Sequence, residues 1–171
     1  MVRAAGTIIR DDHLVVISSQ SVHGTFDDDD LPSEAMFSME ADFLPNDDPE
    51  TRKADLIDGV LGEDSLFHET FGYYAQGVDQ HTAVLANGWK ERLRPLSNAN
   101  TRGVTGWCLE PHDLAVAKLA AGRPKDYEFV GALVRAHLLD PVVMRQRIRK
   151  TTMMDGQRRA AEGFLDRMTS E

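Results

Sequence analysis

Cysteine is nearly absent: Cys108 is the single thiol in 171 residues. That excludes an intrachain disulfide framework and a zinc site built from cysteines. Positive charge is also scarce. The 19 Lys and Arg residues are outnumbered by 28 Asp and Glu, for a net charge of −9. A broad DNA-binding surface is therefore excluded, while a local basic groove for an RNA end is not. No apolar run approaches the roughly 20 residues of a membrane span, and Met1-Val2-Arg3 opens no secretory signal. A soluble, cytoplasmic protein with no membrane partner is expected. Repeats are lacking too, and low complexity is confined to Asp27-Asp28-Asp29-Asp30, whose consecutive side chains diverge as in a solvated loop. What remains is ordinary globular composition, 42% hydrophobic and 27% charged, at a length that suits one full core.

The first half reads as strands and turns. Residues 2–9 suit a short helix despite Gly6, and Asp11-Asp12 a turn. Residues 13–17 (His-Leu-Val-Val-Ile) are β-branched and apolar, the pattern of a buried central strand. They run into Ser18-Ser19-Gln20-Ser21, small hydroxyl residues that suit a tight connection and an N-cap. Such a connection also points backbone N–H groups at any anion placed there. Residues 46–62 carry helix punctuation: Asp48 as cap, Pro49 and Glu50 in the first turn, Gly62 at a left-handed end, and a stripe of Ala54, Ile57, Val60 and Leu61. Residues 71–78 and 82–85 read as strands of a hairpin around Asp79-Gln80-His81; Asn87-Gly88 is a turn, 92–96 extended, and 98–106 a polar loop.

Residues 38–45 (Ser-Met-Glu-Ala-Asp-Phe-Leu-Pro) hold the chemistry of this half. Met39, Ala41 and Phe43 alternate with Ser38, Glu40 and Asp42, the period of a strand with one buried face. Glu40 and Asp42 then share a side, with Cβ atoms roughly 6.5–7 Å apart. Such a pair suits the solvated face of an edge strand, or a hard divalent cation between the carboxylates. Asp79 is a candidate third carboxylate.

From Glu110 the period turns helical. Pro111 and Gly122 bracket one helix, Pro124 opens another with Tyr127, Val130, Leu133, Val134 and His137 spaced for burial, Asp140-Pro141 a third, and Asp155 caps a last. Asp113 and Lys118 fall about 140° apart around the first of these. Lys118 lies among alanines and leucine, where an amine needs an anion. With Arg123, Lys125 and Asp126 it suits either phosphate binding or a structural salt-bridge cluster.

Two blocks give the chain a family likeness. They are Leu14-Val-Val-Ile-Ser-Ser-Gln-Ser-Val-His-Gly24 followed by Met39-Glu-Ala-Asp-Phe43, and Leu109-Glu-Pro-His-Asp-Leu-Ala-Val-Ala-Lys-Leu-Ala-Ala-Gly-Arg-Pro-Lys-Asp126. Phe71-Gly-Tyr-Tyr-Ala-Gln-Gly77 and Asn87-Gly-Trp-Lys-Glu-Arg92 add to them. The sequence resembles small bacterial nucleotidyltransferase-fold proteins related to AbiEii-type toxins. The resemblance implies an α+β fold: a nucleotidyltransferase-like mixed sheet with flanking helices over 1–109, then a helical subdomain over 110–171 packed against it. It implies Mg²⁺ on Glu40 and Asp42, NTP phosphates near Ser18 and Ser19, with Arg123 also toward the nucleotide, and an active lysine at Lys118, with Asp126 matching the acid of the tail. RNA, a protein hydroxyl or a small molecule is the implied acceptor, and an antitoxin-like protein an implied partner. Ser18 stands where the family has its first glycine, Glu40 replaces an aspartate, and the third carboxylate has no clear counterpart. The alternative is therefore a catalytically degenerate protein that binds a nucleotide or a partner.

Overall fold

Residues 1–36 and 38–170 are described by a computed structural model. The strands are β1 (His13–Val16), β2 (Glu40–Pro45), β3 (Tyr74–Gly77), β4 (Arg94–Leu96) and β5 (Thr105–Cys108). The helices are α1 (Val2–Ile9), α2 (Ser33–Met36), α3 (Arg52–Leu61), α4 (Leu66–Phe71), α5 (Pro111–Ala121), α6 (Pro124–Arg135), α7 (Pro141–Lys150) and α8 (Asp155–Met168). They form two compact units: Met1–Thr25, Ser38–Thr82 and Leu93–Leu109 in the first, Phe26–Phe37, Ala83–Arg92 and Glu110–Glu171 in the second. The architecture is α+β.

The first unit is built on a five-stranded mixed sheet in the order β3-β2-β1-β5-β4. As its apolar run requires, β1 lies at the centre, antiparallel to β2 and parallel to β5. One face of the sheet is dry. Leu14, Val16, Ala41, Phe43 and Ala75 pack there with Ala5 and Ile9 of α1 and with Ile57 and Leu61 of α3. Gly6 is explained by crowding: a Cβ there would meet Val104 Cγ1 at 2.6 Å. Gly77 is tighter still, since a Cβ would sit 2.2 Å from the Ala54 carbonyl oxygen, so β3 lies directly on the backbone of α3.

The second unit is helical. Pro111 and Pro124 stand at first-turn positions, and Gly122 closes α5 at φ +68. Leu114, Val116, Leu119, Val130, Leu133, Met144, Ile148 and Leu165 are its fully buried large side chains or close to it. No helix among the described residues is long and apolar enough to cross a membrane.

Several expectations need correction. The strand of the acid pair starts at Glu40, and Met39 is 64% exposed rather than on the buried face. β2 is also an interior strand, not an edge. No hairpin forms over 71–85. Ser65 caps α4 by accepting from the His68 N–H at 3.2 Å, Gly72 ends it at φ +73, and β3 then runs parallel to β2. Local capping and parallel pairing outweigh the aromatic strand propensity of Phe71-Gly-Tyr-Tyr there. α3 is shorter than residues 46–62, because the Asp48 carboxylate takes the N–H groups of Lys53 and Ala54. Val60 is exposed on it, and Gly62 is extended at φ −67 instead of left-handed. His137 is exposed at φ +57 beyond the end of α6, and Asp155 lies inside α8 with Met154 before it.

Candidate functional site

β2 presents its acids as the alternation requires. Ala41 and Phe43 enter the core, while Glu40 and Asp42 are half-buried on the opposite face. The parallel ladder sets Tyr74 opposite Glu40 and Gln76 opposite Asp42, so these four residues share that face. Partial burial, then the charges of Glu40, Glu63 and Asp42, hold the Tyr74 hydroxyl above its usual range. The face therefore has a negative field. Ion pairs among the described residues do not engage Glu40.

The serine turn lies against these acids. The Ile17 N–H donates to the Asp42 carbonyl at 3.0 Å, and Gln20 Nε2 donates to the Ser38 carbonyl at 2.7 Å. Ser19–Gly24 forms a 3₁₀ turn rather than an α-helix, and the Ser18 side chain does not cap it. Instead Ser21 donates to the Ser18 carbonyl through both its N–H (3.0 Å) and its hydroxyl (2.8 Å). Ser18 is 7% exposed, and its buried Oγ has no hydrogen-bond partner among the described residues. Buried hydroxyls are nearly always paired, and this oxygen can both donate to and accept from a polar group beside it. Asp79 follows the end of β3, where its Oδ1 accepts from the His81 N–H at 2.6 Å. Among the described residues no group of three or more His, Cys, Asp or Glu is arranged to hold a metal ion.

The remaining candidates belong to the second unit. Lys118 Nζ lies 3.3 Å from Asp126 Oδ1 and 4.5 Å from the Phe129 ring centroid. Burial holds its ammonium below the usual lysine range, opposed by Asp126. Arg123 donates to the fully buried Asp126 through Nε at 2.7 Å and Nη2 at 3.2 Å. Burial raises the Asp126 carboxyl, but Arg123 and Lys118 bring it below the usual range. These three side chains form a salt-bridge cluster at the start of α6.

A second polar cluster was not anticipated. Fully buried Asp113 accepts from Arg92 Nε at 2.7 Å and Arg92 Nη2 at 3.0 Å and forms an ion pair with Arg147 Nη1 at 2.8 Å. Glu110 accepts from Arg147 and from the His112 N–H at 3.2 Å. The His112 ring bridges onward: Nε2 accepts from the Asp140 N–H at 3.0 Å, which leaves Nδ1 as the donor to Glu110 at 2.7 Å. One signal could have revealed it. An aspartate directly before the apolar run Leu114-Ala-Val-Ala117 calls for a cation if it is buried, but spacing does not say which arginine supplies it.

A mixed sheet with alternate acids beside a small-residue turn, followed by helices, is the nucleotidyltransferase-like class of α+β fold. Comparison with known families agrees, since residues 10–165 match the family described as nucleotidyltransferase of unknown function (DUF6036). The chain belongs to that family. No curated protein and no solved structure matches it.

Proposed function

We propose that the chain transfers a nucleotidyl group from an NTP to an acceptor hydroxyl, with Mg²⁺ held by Glu40 and Asp42. The observation that carries this reading is the acid pair bonded alongside a turn whose buried Ser18 hydroxyl has no partner. In such a reaction the acceptor oxygen bonds to the α-phosphorus as the bond to the bridging oxygen breaks, and pyrophosphate leaves. A divalent cation, when bound, neutralises charge on the phosphates. Mg²⁺ commonly takes one or two carboxylates and leaves its other positions to water and phosphate oxygens. Two acids on one face therefore fit it, and the reading does not draw on Asp79.

The chain's own groups have distinct parts. Glu40 and Asp42 offer oxygens to the cation; Ser18 and Ser19 offer hydroxyl and N–H donors to phosphate. Lys118 and Arg123 are proposed to exchange Asp126 for phosphate. RNA, a protein hydroxyl and a small molecule are all suitable acceptors. The finer likeness to AbiEii-type toxins, with a toxin–antitoxin role and an antitoxin-like partner, is part of the same proposal.

A catalytically degenerate nucleotide- or partner-binding protein is the second reading. It is favoured by the lack of a three-acid group among the described residues and by a side chain at Ser18, where phosphate must approach closely. Incubation with α-labelled NTPs, Mg²⁺ and a cell extract separates the two. Label on RNA, protein or a small molecule with wild type but not with Asp42→Asn is the expected result. NTP binding without any labelled product would establish the second reading.

A further inference from the structure

The segment from Ala54 to Trp89 contains no lysine or arginine, yet it exposes a cluster of large apolar side chains. Leu66 is 78% exposed, Phe71 55% and Tyr73 36%. Phe67, half-buried against the sheet core, ties Phe71 and Tyr73 together: its ring lies 4.8 Å from that of Phe71 and 5.4 Å from that of Tyr73. Leu56 and Val60, each 44% exposed, extend apolar surface along α3, which packs against α4. The same two helices and the turn between them carry Asp55, Asp58, Glu63, Asp64 and Glu69, all exposed. Phe67 packs on the dry face of the sheet, from whose other face Glu40 and Asp42 project, and the His68 ring of α4 lies 4.9 Å from that of Tyr74 at the β3 edge.

Isolated exposed apolar residues need no explanation, but a cluster of interlocked aromatics rimmed by one sign of charge does. Aromatic rings are the side chains that anchor protein interfaces, because they bury much area at little entropic cost. The five acids decide the occupant. They repel a phosphate backbone and an anionic membrane alike, and they attract lysine and arginine. We propose that the aromatic face of α4 docks an amphipathic protein helix whose apolar ridge is flanked by lysine and arginine. The apolar ridge covers Leu66, Phe71 and Tyr73, and the flanking cations meet the acidic rim, in the manner of a helix laid on an apolar groove.

The test uses the full chain and a designed helical peptide of about 18 residues, five turns with Leu on one face and Lys on the other, followed by fluorescence anisotropy and by size-exclusion chromatography with light scattering. The wild type is expected to bind this peptide, and a scrambled peptide of the same composition to bind at least tenfold more weakly. Phe71→Ser and Leu66→Ser, both at exposed positions, should each weaken binding by tenfold or more. Glu63→Lys with Glu69→Lys keeps the apolar face and should shift preference to a peptide with Glu in place of Lys. Equal binding of designed and scrambled peptides would overturn the proposal, because it would reduce the interaction to net charge. So would self-association of the chain that Phe71→Ser abolishes, which would make a second copy the occupant. Single-stranded RNA competing for the site with Phe71→Ser sensitivity would also overturn it.

Discussion

Ser18 is the residue on which stability and function separate most clearly. Among the described residues its buried hydroxyl has no partner, an arrangement that costs about 1–3 kcal/mol in other proteins. A phosphate oxygen would remove that cost in the bound state only. Ser18→Ala should therefore raise the urea midpoint by an amount equivalent to about 1–3 kcal/mol while weakening NTP binding. A variant that loses stability instead would mean that the hydroxyl has an internal partner. The run Ile17-Ser18-Ser19 showed where a ligand-facing turn belongs, but not that its first serine is buried without a bond. That depends on Ser21 taking the carbonyl, a choice made by the 3₁₀ geometry.

At the scale of elements, the most tightly organised feature is the join of α5 and α7. Glu110 caps α5 through the His112 N–H and holds Arg147 of α7. Burial raises the Glu110 carboxyl, but the hydrogen bond from His112 and then the Arg147 guanidinium bring it down to about 2 from an ordinary 4.5. A carboxyl with a depressed folded pKa contributes stability that is complete above the ordinary pKa and is lost as pH falls through the folded one. Here the window runs from pH 4.5 down to about 2. Glu110→Gln should lower stability at neutral pH by a few kcal/mol and flatten the acid loss across that window, read as urea midpoints of the two proteins against pH. Parallel pH curves would show that Glu110 does not carry the effect.

Elements were legible where punctuation and period agreed. Prolines and Gly122 marked α5, α6 and α7, and the apolar run of β1 marked the sheet centre. Reading failed where two local forces competed. Residues 71–78 have aromatic strand propensity, yet Ser65 and Gly72 cap a helix into Phe71 and only Tyr74–Gly77 remains as strand. Parallel pairing of β3 with β2 is a long-range event that no local pattern encodes.

For the whole molecule, the order of blocks proved informative, because a strand, a serine turn, alternate acids and a capped helical half together lead to a nucleotidyltransferase family. The distant ionic contacts were not legible. Arg92 and Arg147 reach Asp113 from 21 and 34 residues away in sequence, a choice fixed by packing alone. The negative charge of the chain bears on the site as well: a protein at −9 does not hold an NTP by general attraction, so a local cation is needed at the acid pair. The melting temperature with Mg²⁺ and NTP tests this most directly. Mg²⁺ with NTP should raise it in wild type, either component alone should do so much less, and Asp42→Asn should abolish the rise. Equal shifts in the two proteins, or none in either, would contradict a metal–nucleotide site at Glu40 and Asp42.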